Sequence, residues 1–331
     1  MSRNLFSSFL IFSILSSNSF ALETDQYIVW NSDFTLKDST EALNEYMNKN
    51  IETVLASINQ NPSNLNPDKC NIITNKIIKS FQTITPPEDK IEIEMHTNAK
   101  VDLYPKVTSF SEYYKNSIYR YILVLVSKVF AFVSPSVKIN NVYIGVDKLG
   151  HFISQGKEYF DLYKKEIDDN KSIYEAEVKA INLGIQQEYG KYGIFLSGVF
   201  SFADLEANYQ GLKFSRSLCF DSNSPYIKFD LTENKWIQVK KIDMRRFVNP
   251  NWDESYNNSY FSPDVAPKIV PVIKANYCEI YKSKKIQNIR AAYAKIATPS
   301  FSKLYLLKQI LIGEIVKQNQ YSIETICTES I

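Results

Sequence analysis

Three stretches decide the fold: residues 147–168 (DKLGHFISQGKEYFDLYKKEID), 172–189 (SIYEAEVKAINLGIQQEY) and 201–215 (SFADLEANYQGLKFS). In the first, Leu149, Phe152, Ile153, Gly156, Tyr159, Phe160 and Tyr163 recur at three and four residues, which predicts a helix from Lys148 to about Ile167 with Asp147 at its N-cap. Asp147, His151, Gln155 and Glu158 fall on a shared face away from that stripe. Such a face is either solvated or the wall of a polar cleft covered by a second layer. In the second stretch Ser172 and Glu175 form a capping box, and the helix behind it is apolar on several sides through Ile173, Ala176, Val178, Ala180, Ile181 and Ile185. Glu177 and Glu188 share a face with Ile181 and Gly184, where burial is expected and a buried carboxylate needs a partner. In the third, Ser201 caps a helix with Asp204 three residues on, and Asp204, Ala207, Asn208, Gly211 and Ser215 line one face. Side chains that small let another helix approach closely.

Glycine usage marks the same region. Eight of the nine glycines lie between Gly145 and Gly211. Glycine inside a helix costs about 1 kcal/mol against alanine, so its concentration here points to close helix contacts and tight turns. The pieces Asp147-Lys148-Leu149-Gly150-His151-Phe152 and Ser201 to Gly211 resemble the D-K-x-x-H-F and S-x-x-D-x-x-x-N-x-x-G pieces of VanZ-like proteins and related exported bacterial proteins, over about one fifth of the chain. VanZ-like proteins are small membrane proteins whose helices span the bilayer. Here Lys157, Glu158, Asp161, Lys164 and Lys165 make the first helix too charged for that. The resemblance therefore implies a shared polar core on water-soluble helices and carries over no reaction.

Working outward, Leu43, Met47, Ile51, Val54, Leu55 and Ile58 predict a helix over residues 38–58, with Asp38 and Glu41 as its capping box. Asn61-Pro62 and Asn66-Pro67 break it, and a second helix is expected from Asp68 to about Ile84. Ile91, Ile93 and Met95 alternate with Glu92, Glu94 and His96, the pattern of a short strand. Tyr121 to Val133 is the most apolar stretch after the leader. It has thirteen residues and contains Lys128, which fits a buried helix better than a span of roughly 20 apolar residues and leaves a helix lying on a membrane surface open. Residues 226–241 read as a β-hairpin about Thr232-Glu233-Asn234, Asn249–Pro263 as an aromatic, Asn-rich loop, and Lys285–Ala297 with Ser302–Gln320 as two amphipathic helices in the C-terminal region 278–331.

At the other end, Arg3, the apolar run Leu5–Leu15 and Ser19-Phe20-Ala21 have the layout of a secretory signal, with cleavage expected after Ala21. The remaining chain is then exported, periplasmic or secreted, with no transmembrane span. Lys+Arg 38 against Asp+Glu 36 leaves no net field, and no basic run alternates with stacking aromatics, which argues against nucleic acid. A hydrophobic fraction of 44% excludes general disorder. Cys70, Cys219, Cys278 and Cys327 form no CxxC motif. In an oxidising compartment two disulfides are the expectation. Four cysteines allow three pairings, of which Cys278–Cys327 is favoured because both lie in the C-terminal helical region.

These observations give a mainly α globule, a single domain over residues 22–331 built on the three-helix unit 147–218. Its chemistry centres on Asp147, His151, Glu188, Asp204 and Asn208. As a satisfied network they would cap and cross-link three helices inside an exported cell-envelope accessory protein. As an active site, His151 would be general acid or base and Asp147, Glu188 or Asp204 its orienter or nucleophile, in an envelope hydrolase or transferase. No GxSxG, SxxK or HExxH motif supports that chemistry. One histidine among carboxylates suits magnesium, manganese or calcium better than zinc, and no metal or cofactor is assigned. A third reading is a glycan-binding module, with Trp252, Asp253 and Tyr256 of the aromatic loop stacking on and orienting a sugar ring. Cell-envelope glycan or lipid would be the partner.

Overall fold

The computed structural model describes residues 23–31, 35–83, 88–105, 117–121, 134–190, 192–195, 197–220, 224–315 and 321–328. The leader-like segment 1–21 and nearly all of the apolar stretch 121–133 lie outside the described residues. The fold is mainly α, with short strands in small sheets.

Helix α1 (Thr40–Asn59) buries Leu43, Met47, Ile51, Leu55 and Ile58 as its spacing dictates. Its start differs from expectation. Ser39 is the N-cap, Asp38 accepts from the Thr40 and Asn141 amides at 2.9 and 2.6 Å, and Glu41 turns outward to Arg245. Asp38 thus ties the helix to a neighbouring hairpin instead of closing a capping box. Helix α2 (Cys70–Phe81) follows two 3-10 turns, each begun by an Asn-Pro pair whose Asn side chain caps it. The strand expected at 91–95 is a helix, α3 (Lys90–Thr97), closed by a capping box between Asp89 and Glu92. Ile91 and Met95 form its buried face, while Ile93 is exposed.

Strands β1 (Leu103–Tyr104), β2 (Ser136–Ile139) and β3 (Val142–Gly145) make an antiparallel sheet in that order. Asn140 and Asn141 both take positive φ in the two-residue β2–β3 turn, the geometry in which hairpins favour Asn. The chain then enters α4, a continuous helix over residues 147–168 interrupted by a π turn at His151–Gln155. Helix α5 (Ile173–Tyr189) starts at the Ser172–Glu175 capping box, as its sequence requires. Strand β4 (Val199–Phe200) leads into α6 (Phe202–Cys219), and α4, α5 and α6 pack on one another. The expected hairpin is present as β5 (Ile227–Asp230) and β6 (Lys235–Gln238). Strand β7 (Tyr260–Phe261) pairs with β4. Helices α7 (Ala266–Asn276), α8 (Cys278–Lys282), α9 (Lys284–Ile296), α10 (Phe301–Leu311) and α11 (Ile323–Thr328) complete the described chain.

Two disulfides form, Cys70–Cys219 between α2 and the end of α6, and Cys278–Cys327 between α8 and α11. Loops of 149 and 49 residues place each at about 4–5 kcal/mol on the chain-entropy estimate. Among the described residues no helix is long and apolar enough to cross a membrane.

Candidate functional site

The site begins where β3 runs into α4. An added Cβ at Gly145 would meet Asp147 Oδ1 at 2.0 Å and Thr24 Oγ1 at 2.4 Å, so only glycine lets the Asp147 carboxylate fold back over the strand end. Val146 takes the N-cap position, and Asp147 is the first helical residue. Its Oδ1 accepts from Thr24 Oγ1 at 2.6 Å, and its Oδ2 accepts from the Lys148 ammonium at 2.7 Å. The capping role expected of Asp147 is therefore replaced by an ionic one.

Lys148 is the centre of the arrangement. Its Nζ also forms ion pairs at 2.6 Å with Asp204 Oδ1 and with Glu254 Oε1. The whole side chain is 0% exposed. Burying an ammonium costs several kcal/mol, which only close, well-directed counter-charges offset. Burial presses the ammonium toward its neutral form, yet Asp147, Asp204, Glu254 and Glu23 outweigh it and hold Lys148 well above its ordinary pKa. Burial likewise pushes Asp204 up, but His151 and Lys148 overcome this and hold it below the ordinary carboxylate value. Glu254 is pushed up to about 7 by burial, against the pull of Lys148 and with the repulsion of Asp204 and Asp147.

Asp204 sits in the first turn of α6, where the helix dipole favours a negative charge. The N-cap Ser201 accepts from the Asp204 amide at 3.2 Å and donates to Glu254 Oε1 at 3.0 Å. Asp204 Oδ2 lies 3.1 Å from His151 Nε2. With the Asn208 amide nitrogen turned to the backbone oxygens of His151 and Asp204, it donates to them at 3.2 and 3.1 Å and to His151 Nδ1 at 3.2 Å. Both carbonyls require that orientation, since neither can donate. His151 Nε2 is then the ring nitrogen that donates to Asp204. Glu188 joins through the Ser201 amide, 2.9 Å from its Oε2, and Glu23 through Ser197 at 2.7 Å. Burial first, then the charge of Asp204, pushes both acids well above the ordinary range.

The oxygens of Asp147, Asp204 and Glu254 lie within 4.8 Å of one another, a spacing that fits a divalent cation. Lys148 Nζ touches all three carboxylates and takes that place itself. Asp147, Lys148, His151, Asp204, Asn208 and Glu254 are each at most 4% exposed, with Glu23 partly buried at the edge, so the centre of the ensemble is a closed interface between α4, α6, the 253–258 turn and the N-terminal residues. A groove of about 730 Å³ runs elsewhere, along the outer side of α1 past Glu41, Asn48, Glu52, Lys241 and Arg245, and shares no residue with the network.

The structure thus brings Asp147, His151, Asp204 and Asn208 into one network and attaches Glu188 through the Ser201 backbone. Lys148 and Glu254 escaped the sequence reading. Lys148 stands three and four residues before His151 and Phe152, a helical spacing that places it on the buried side. Glu254 carried no comparable signal. The aromatic loop is corrected: Trp252 is fully buried against Phe152 at 5.5 Å, and Asp253 is buried, capping Ser255 at 2.8 Å. Tyr256 is half-buried, edge-on to Tyr293. Tyr260 and Phe261 are buried in the β4–β7 pair, so the loop presents no aromatic platform for a sugar. Comparison with protein-family models, with curated proteins and with solved structures finds no match to this chain.

Proposed function

We propose that this chain is an exported cell-envelope accessory protein and that its Lys148-centred network serves the fold, locking the N-terminal residues, α4, α6 and the 253–258 turn into one arrangement. The observation that carries the reading is the complete burial of Lys148 against three carboxylates drawn from separate elements. A general acid or base must meet its substrate, and His151 is 2% exposed with both ring nitrogens engaged. Two disulfides and the leader-like Arg3–Ala21 segment support an oxidising, extracytoplasmic location.

Thermal and denaturant unfolding of Asp204→Ala and His151→Ala test the structural role. Asp204→Ala leaves Lys148 with one counter-charge fewer and His151 without its acceptor, and a loss of about 3–5 kcal/mol is expected. For His151→Ala the expected loss is about 1–3 kcal/mol, the cost of stranding Asp204 Oδ2 and the Asn208 amide. An active site holds its charges against folding, and removing one leaves stability unchanged or raised. Two variants as stable as the parent would sink the structural role and restore the envelope hydrolase or transferase.

A further inference from the structure

Helix α10 is apolar on two sides. Leu306 is buried, with Phe301, Tyr305 and Ile310 packed partly around it against α4, α5 and α6. Turned away from that core, Leu304, Leu307, Lys308 and Leu311 stand at spacings of three, one and three, which makes a single stripe along the solvent side. Leu304 is 55% exposed and Leu311 79%, and Ile312 continues the stripe past the helix end. At the other end of α10 the Tyr174 ring of α5 lies 5.6 Å from Phe301, and Ile173 and Tyr174 are themselves exposed. A surface helix ordinarily turns a polar face outward, and a contiguous exposed apolar strip marks a contact surface.

Charge identifies what the strip meets. The whole chain is nearly balanced, yet residues 280–313 contain no acid and seven bases: Lys282, Lys284, Lys285, Arg290, Lys295, Lys303 and Lys308. Arg290 and Lys303 are engaged, with Ser255 and Asn257 respectively. Lys282, Lys284, Lys295 and Lys308 are exposed, and Lys308 sits within the leucine stripe itself. We propose that α10, with the basic run leading into it, docks this protein on an anionic lipid bilayer: the leucines enter the acyl boundary while the lysines meet the headgroups. Basic residues beside exposed leucine are the signature of interfacial binding. A polyanion such as nucleic acid would use the lysines but leave the leucines with no role. The docking does not depend on what the Lys148 network does.

The test uses the oxidised chain and two kinds of vesicle, phosphatidylcholine alone and an equal mixture with phosphatidylglycerol, at low and high salt. The parent is expected to co-sediment with the anionic vesicles at least about tenfold more tightly than with the zwitterionic ones, and high salt to weaken binding. Leu307→Asp with Leu311→Asp, and separately Lys295→Glu with Lys308→Glu, are each expected to weaken binding at least about tenfold. Melting temperature reports whether the variants remain folded, and Leu311→Asp alone serves if the pair does not. The idea fails if the parent ignores anionic vesicles or if the leucine variants bind as the parent does. It fails equally if the parent is a dimer that Leu311→Asp dissociates while vesicles stay unbound, because the strip then covers a second copy.

Discussion

Lys148 does the work of a bound cation with a covalently attached one. An ammonium within 2.7 Å of three carboxylates offsets their mutual repulsion without the exchange that a dissociable ion would allow. Its removal therefore has a specific expected consequence. Lys148→Ala leaves Asp147, Asp204 and Glu254 crowded around an emptied position and should destabilise the fold by about 3–5 kcal/mol. Calcium or manganese should then recover part of the loss, since the same oxygens suit a hard cation. Unfolding with and without added metal checks this: the variant's midpoint should rise with metal and the parent's stay fixed. Absence of any metal effect on the folded variant would mean that the carboxylates cannot rearrange around an ion. At this scale the sequence was partly legible. Asp147, His151, Asp204 and Asn208 declared themselves by shared helical faces, whereas Glu254 belongs to a turn about fifty residues from Asp204 in the chain. Only tertiary structure joins it to them.

Between elements, the crossing of α4 and α6 depends on Gly156 and Gly211. A Cβ on Gly211 would sit 1.9 Å from the Phe152 carbonyl oxygen and 2.8 Å from Gly156 Cα, backbone atoms that cannot swing aside. Gly211→Ala gains about 1 kcal/mol of helix propensity but must push the helices apart. Overpacking typically costs about 1–3 kcal/mol, and displaced backbone puts the expectation at the upper end. Net destabilisation in urea is expected, and a variant more stable than the parent would show that the contact yields. The glycine concentration announced this crossing in advance, and the Ser172 box fixed the start of α5. The π turn at His151–Gln155 did not show, because the apolar spacing passes through it without a break. The misreading at residues 91–95 has an equally local cause. Over five residues, Ile91, Ile93 and Met95 satisfy alternation, while Ile91 and Met95 alone satisfy a helical turn, and the Asp89–Glu92 box selects the latter.

Among the described residues, more carboxylates are buried than are paired with cations. Besides Glu254 at about 7, burial pushes Asp25, Asp89 and Asp253 up to about 6, and Glu23, Glu92 and Glu188 well above the ordinary 4.5. Each of these holds its proton in the folded chain after the unfolded chain has released it, so stability falls as pH rises through the window from about 4 to 7. Asp204 acts oppositely, adding stability above its ordinary 3.8 that is lost only as pH falls through its depressed value. Lys148 keeps its contribution to beyond 10.5. The expected melting temperature is therefore higher at pH 5 than at pH 8, and the reverse order would contradict the assignment of neutral buried acids.

The network also has a schedule. Thr24 finds its partner 123 residues later at Asp147, and the Glu254 amide donates to Gln26 across 228 residues. A chain synthesised from its N-terminus therefore presents Thr24, Glu23 and Gln26 well before their partners at Asp147, Ser197 and Glu254 appear in turn. Contacts of such long range slow folding and leave incomplete intermediates open to aggregation. Until three-quarters of the polypeptide has been delivered, the charges of α4 have no complete set of partners, and a helper that holds the waiting segment would find its clearest use in that interval.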